Sequence, residues 1–316
     1  MGTQYGTDSF LSRTSTNDVS TELDVFSRLL VMDIPFSVSY KVTDKLTVGG
    51  SLDAIWTSEN LGLLLDTTQI GALAAQGRLG GGLLPALIGI PQLSGGYLNV
   101  NNGKMVEGAA DAWGIGGRLG LTYQVDPKTR LGLAYQFKTD VGDLSGPSTL
   151  TAVAGNDPLH GTVRPRDFQM PAALTLGVSR DFTDKLSIAV DYQRVFWHDV
   201  MKNIQVGFTQ ASTGQALGLT LPLNYRDINV FSIGGQYRYN ASWTFRNGFN
   251  YAQEATPGIG MLAILPATPT ANVTAGVSNL FDQSMKVDGA PTYAFPKTVT
   301  NAGLPNTSVP ISVRMS

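Results

Sequence analysis

Few side chains in this chain of 316 residues can do covalent chemistry. Cys is absent, which excludes thiolate nucleophiles, thiolate zinc sites and disulfides. Two histidines, His160 and His198, argue against a His-rich metal site. His198 stands between Trp197 and Asp199, a pair that a Ser-His-Asp hydrolase could use and that an ordinary interfacial loop also contains. No G-x-S-x-G elbow or P-loop occurs, and Gly114, Gly116, Gly117 and Gly120 miss the G-x-G-x-x-G spacing. No catalytic residue, metal ligand or cofactor is expected.

Binding chemistry is better represented. Arg118, Lys138 and Arg246 could each hold a carboxylate, Arg through its bidentate fork. With Lys41, Asp53, Asp191 and Arg238 they could equally form a structural ladder of charges across an interior. A long connection, 58–111, holds Leu61, Leu63, Leu64, Leu65, Ile70, Leu73, Leu79, Leu83, Leu84, Leu87, Ile88 and Ile90. The i, i+3 spacing of Ile70 and Leu73 predicts a short amphipathic helix, and the grouping of Leu83, Leu84, Leu87 and Ile88 predicts a second. So apolar a connection invites an apolar ligand, with Leu61, Leu64, Ile70, Leu73, Leu83, Leu84, Leu87 and Ile88 as candidate contacts. The alternative is that these leucines pack the loop on itself.

The elements that must position these residues follow a period of two. Ile115, Leu119, Leu121, Tyr123 and Val125 alternate with Gly116, Arg118, Gly120, Thr122 and Gln124. Leu131, Leu133, Tyr135 and Phe137 alternate with small or polar neighbours in the same way. Such alternation predicts β-strands with two unlike faces. It recurs over 34–42, 46–56, 174–182, 186–193, 231–239, 243–251, 273–281 and, less cleanly, 285–295. Short polar turns join these strands in pairs: Thr43-Asp44-Lys45, Asp126-Pro127-Lys128-Thr129, Thr183-Asp184-Lys185, Asn240-Ala241-Ser242 and Asp282-Gln283-Ser284. The other connections, 58–111, 141–167, 199–223, 255–270 and 296–306, are long. Short turns at one end and long loops at the other are the asymmetry of an outer-membrane barrel. Pro35 cannot donate to a ladder and is expected to interrupt the strand that runs from about residue 22 to residue 42.

Composition agrees. Charged residues are 15%, against roughly 25% in a soluble domain, and the net charge is −2. Mean hydropathy is +0.02. Disorder and nucleic-acid binding are both disfavoured. The longest uncharged stretch, 79–103, is broken by Gly80, Gly81, Gly82, Pro85 and Pro91, so no spanning helix is expected. A soluble sandwich would also alternate, but its polar face would carry Lys and Glu; here Gly, Ser, Thr and Gln dominate. Aromatic residues near strand ends, among them Tyr40, Trp56, Tyr123, Phe182, Tyr239, Trp243 and Phe281, suit interfacial girdles.

Three blocks, 112–139 (AWGIGGRLGLTYQVDPKTRLGLAYQFKT), 166–197 and 221–253, resemble FadL-type outer-membrane transporters of long-chain fatty acids and hydrophobic aromatics. The densest motif is LPLNYRD at 221–227. The resemblance spans about residues 26–281 and implies an all-β, transmembrane, antiparallel up-and-down β-barrel of about fourteen strands, plugged by an N-terminal hatch. It also implies capture of an apolar ligand at an extracellular loop and sideways release, here expected beside Asp33 and Pro35. Residues 1–316 are expected to form one barrel domain that lacks the hatch, first strand and last strand. No signal peptide is visible at MGTQYGTDSF.

The expected function is passive, binding-guided uptake of long-chain fatty acids or aromatic hydrocarbons across a bacterial outer membrane. The expected partners are that cargo, membrane lipid and lipopolysaccharide, with no nucleic acid and a monomeric state. The alternatives are a surface adhesin and a barrel-embedded lipid hydrolase.

Overall fold

The computed structural model describes residues 2–5, 13–14, 19–104, 107–155, 157–256, 270–281, 285–301 and 311–315. Short strands β1 (Gly2–Tyr5), β2 (Arg13–Thr14) and β3 (Val19–Ser20) come first. The chain then repeats one theme: a long hairpin followed by an insertion. Hairpin β4 (Val25–Lys41) and β5 (Leu46–Asp66) is followed by α1 (Thr67–Ala75), β6 (Leu79–Gly80), α2 (Leu83–Ile88) and β7 (Gly95–Val100). Hairpin β8 (Ala110–Asp126) and β9 (Thr129–Gln136) is followed by β10 (Asp140–Val141), β11 (Gly146–Ala152) and β12 (Leu159–Arg166). Hairpin β13 (Ala173–Asp181) and β14 (Leu186–Val195) is followed by β15 (Asn203–Gln210) and β16 (Ala216–Pro222). After hairpin β17 (Ile228–Arg238) and β18 (Trp243–Ala252) come β19 (Ala271–Leu280), β20 (Lys286–Gly289), β21 (Thr292–Ala294), β22 (Lys297–Asn301) and β23 (Ile311–Met315).

The hairpins form a wall. Its antiparallel pairing runs β4–β5–β8–β9–β13–β14–β17–β18–β19. The tight turns are built as their residues demand. Thr43 Oγ1 accepts from the N–H groups of Lys45 and Leu46 at 3.2 and 3.0 Å. Thr183 Oγ1 repeats this with Lys185 and Leu186 at the same distances, and Asn240 Oδ1 does so with Ser242 and Trp243 at 2.9 and 2.8 Å. These side chains stand in for ladder partners that a turn removes. The turn expected at 282–284 lies outside the described residues.

One face of the wall is apolar and exposed: Phe36, Val38 and Leu52 are 68, 75 and 63% exposed, and Leu119 is 57% exposed. The other face carries Ser, Thr, Gly and paired charges around a hollow of about 540 Å³. An exposed apolar face opposite a face of small and polar side chains is the pattern of strands in lipid. No helix among the described residues is long and apolar enough to cross a membrane.

The long connections carry strands as well as the two expected helices. They continue the same sheet above the wall through the antiparallel pairings β5–β7–β11–β12–β15–β16–β6. Hence β5 does not end near Trp56; it runs to Asp66 after exchanging β8 for β7 as its partner. Both faces are covered beyond that point, so alternation gives way to the run Leu63, Leu64, Leu65, which strand periodicity misses. Pro35 does not interrupt β4 either: Pro35 faces Asp53 in unbroken register. The segment 285–295 is two strands rather than one, with Ala290 and Pro291 between them.

Candidate functional site

The head sheet turns its apolar side inward. Across it, Leu63 faces Leu98, Leu98 faces Leu150 and Leu150 faces Leu159. Val163 faces Phe208, Phe208 faces Leu217, and Leu219 faces Leu79. The two helices close this surface. Asp66 caps α1 by accepting from Gln69 N–H at 2.8 Å while the Gln69 side chain accepts from Asp66 N–H at 3.0 Å. The cap aims Ile70 and Leu73 at the chamber, and α2 contributes Leu83 and Leu87; all four are buried. A cavity of about 40 Å³ remains, walled by residues such as Leu63, Leu65, Ile70, Leu87, Phe208 and Leu219.

The inner face of β5 leads downward from it. Leu65 and Leu63 line this chamber; Leu63, Leu61 and Glu59 line a second cavity of about 40 Å³. Thr57, Ile55 and Asp53 follow, and Ser51 and Thr47 line the wall's hollow. Asp53 lies 3.5 Å from Arg118, which also pairs with Asp33. Asp53 Oδ1 is buried without a partner among the described residues. Trp56 and Trp113 face one another on the outer side and mark the upper rim of the lipid-facing band. Just above them the outer face of β5 is covered by the segment that carries Gly108: a Cβ there would lie 2.5 Å from the Glu59 nitrogen, so only glycine lets the segment pass. Glu59 is therefore above the membrane-spanning part. Burial pushes its carboxyl up to about 7.

Seven of the eight apolar residues expected at a ligand site meet in the head. Leu61, Leu64, Ile70, Leu73, Leu83 and Leu87 are buried there, and Leu84 packs against them half-buried. The eighth, Ile88, is 56% exposed, because it ends α2 on the side away from the core. The expected cations are not gathered with them. Arg118 is engaged by Asp33 and Asp53. Arg246 donates to Gln236 at 2.9 Å and lies 3.8 Å from Asp288. Lys138 is exposed and has no ion pair among the described residues, while Lys41 pairs with Asp44 at the turn.

Sequence reading missed Glu59, Phe208, Val206, Leu217 and Leu219. Nothing in their spacing ties 59 to 206–219, but the alternation of Val206 and Phe208, and of Leu217, Leu219 and Leu221, marks two strands with one apolar face. LPLNYRD proves to be a fastening. Leu223 is buried with Val200 and Met201, Tyr225 packs on Trp197, and Asp227 takes both Arg194 at 3.2 Å and the His198 N–H at 3.1 Å. Asp227 is thus committed to a guanidinium and a backbone amide. Among the described residues the His198 imidazole has no hydrogen-bond partner, so no relay is assembled around it.

Known proteins share this architecture. The family model described as "Outer membrane protein transport protein (OMPP1/FadL/TodX)" matches residues 1–310. The toluene transporter TbuX of Ralstonia pickettii is 57% identical, with a TM-score of 0.82 over 94% of this chain and 70% of that one. The toluene transporter TodX of Pseudomonas putida is 42% identical, with a TM-score of 0.84 over 94% of this chain and 72% of that one. Outer membrane protein P1 of Haemophilus influenzae is 26% identical over 87% of this chain, which spans 58% of that protein's length. The β-barrel fold and the outer-membrane location agree with the polarity of the wall, and the chain belongs to the OMPP1/FadL/TodX family of outer-membrane transport proteins.

Proposed function

We propose that the protein takes up small hydrophobic molecules, aromatic hydrocarbons or fatty acids, by passive diffusion guided through binding sites. One observation carries this: the apolar chamber of the head and the second cavity share Leu63 and Val206, and the same face of β5 continues from them to the hollow in the wall. An apolar molecule that spreads the chamber, whose volume is well below the roughly 150 Å³ that holds a benzene ring in a protein interior, escapes water there and lies on the face of β5 that leads to the barrel interior. The toluene transporters among the relatives support an aromatic cargo. Release occurs sideways, beside Asp33 and Pro35, where Pro35 has no N–H to give to a second neighbour of β4. Residues 1–316 act as one domain and one chain within outer-membrane lipid and lipopolysaccharide, without a cofactor and without turnover.

The test is uptake of radiolabelled toluene at low concentration by cells that make the full-length protein. Making it should raise the initial rate well above that of cells without it. Leu63→Trp, which fills the shared wall, should return the rate to background while the folded barrel still reaches the membrane. Equal rates with and without the protein would overturn the proposal.

A further inference from the structure

Glu59 is out of place on a conduit lined by leucines. Its side chain belongs to the inner face of β5 and enters the second cavity beside Leu29, Phe168, Met201 and Asn203. It has no hydrogen bond or ion pair among the described residues, and a half-buried carboxylate without a partner is costly. The charged groups that share the cavity are Arg166 and Asp167, at and just beyond the end of β12. Arg166 already faces Asp143 at 4.0 Å. The other elements around Glu59 bring uncharged groups: Leu29 from β4 and Ala110 from β8 in register, and Asn203 and Ile204 from β15. The balance of the cavity is therefore negative. Lower on the path, Arg118 is neutralised by Asp33 and Asp53 and cannot offer an anion full compensation.

We propose that Glu59 is a specificity-determining residue, through which this cavity admits uncharged apolar molecules and turns back carboxylates. The inference rests on the uptake reading above and narrows it to the neutral hydrocarbon class. A carboxylate entering the cavity would bring a second negative charge into a poorly solvated space, where two such charges repel strongly. A neutral ring meets no such penalty. The filter has a pH sense. With a carboxyl raised to about 7, Glu59 is ionised and repels anions above that pH, and it is protonated and permissive below it.

The experiment is equilibrium binding of toluene and of benzoate to the purified full-length protein, at about pH 8.5 and about pH 5.5, where benzoate stays an anion. At the higher pH, Glu59→Gln should raise the ratio of benzoate to toluene affinity about tenfold. The unsubstituted protein should gain benzoate affinity on acidification, and the Gln variant should not. A benzoate-to-toluene ratio unaffected by both pH and substitution would overturn the inference while leaving hydrocarbon uptake standing. The acidification arm alone decides the matter if the variant does not fold. Failure of the unsubstituted protein to bind toluene would overturn the uptake reading, and this inference with it.

Discussion

Along β5 one alternating chain serves two environments. Between Val48 and Trp56 the residues Val48, Leu52 and Trp56 face outward, with Leu52 63% exposed, while Ser51 and Asp53 share the inner face with Ile55. From Leu61 to Leu65 both faces are covered, and Leu63 and Leu65 on the inner one close a chamber with strands from two later insertions. The wall is greasy outside and mostly polar inside; the head is apolar within and covered on both faces of β5. Alternation thus establishes that a strand has two faces, whereas the medium on each side decides which face is apolar.

The contrast can be broken most severely in the head. Phe208 is 2% exposed at the centre of the chamber, and Phe208→Ala should cost about 3–5 kcal/mol there. Hydrogen exchange should accelerate in β15, β16 and β7 and stay unchanged in β9, β13 and β14. Uniform loss of protection would show that head and wall are one cooperative unit. In the wall the corresponding change is Leu119→Arg, on the lipid side. It should cost about 2–4 kcal/mol when folding into bilayers is followed by denaturant titration. Thr122→Arg on the opposite face should cost far less, and equal costs would invert the orientation of the wall. The mildest test is Asp66→Ala, which removes the cap of α1 and should cost about 1 kcal/mol. Its effect belongs to the head alone, so toluene affinity should fall while folding of the wall is unchanged.

The wall was largely legible in the sequence because each of its devices is local. Thr-Asp-Lys turns sit between adjacent strands, and the alternation of 112–139 needs no distant partner to be recognised. The helices were legible for the same reason, from the spacing of Ile70 with Leu73 and of Leu83 with Leu87. The head was not. Its sheet joins residues near 63, 98, 150, 163, 208 and 219, and no local pattern connects them. Glu59 was overlooked because a lone acid at a strand end reads as solvated, and only the crossing of Gly108 and the packing of Phe168 and Met201 enclose it. Pro35 misled in the opposite direction. A missing donor does not break a strand whose residues remain in register with their partner on one side.

The order in which insertions and hairpins alternate has a consequence for biogenesis. Each stave can find its neighbour soon after both have been made, since the two are adjacent in the chain. The last seam of the upper compartment, between Leu79 and Leu219, must wait until nearly all of the intervening polypeptide is in place. Capacity for cargo would thus depend on a contact between two insertions far apart in the chain.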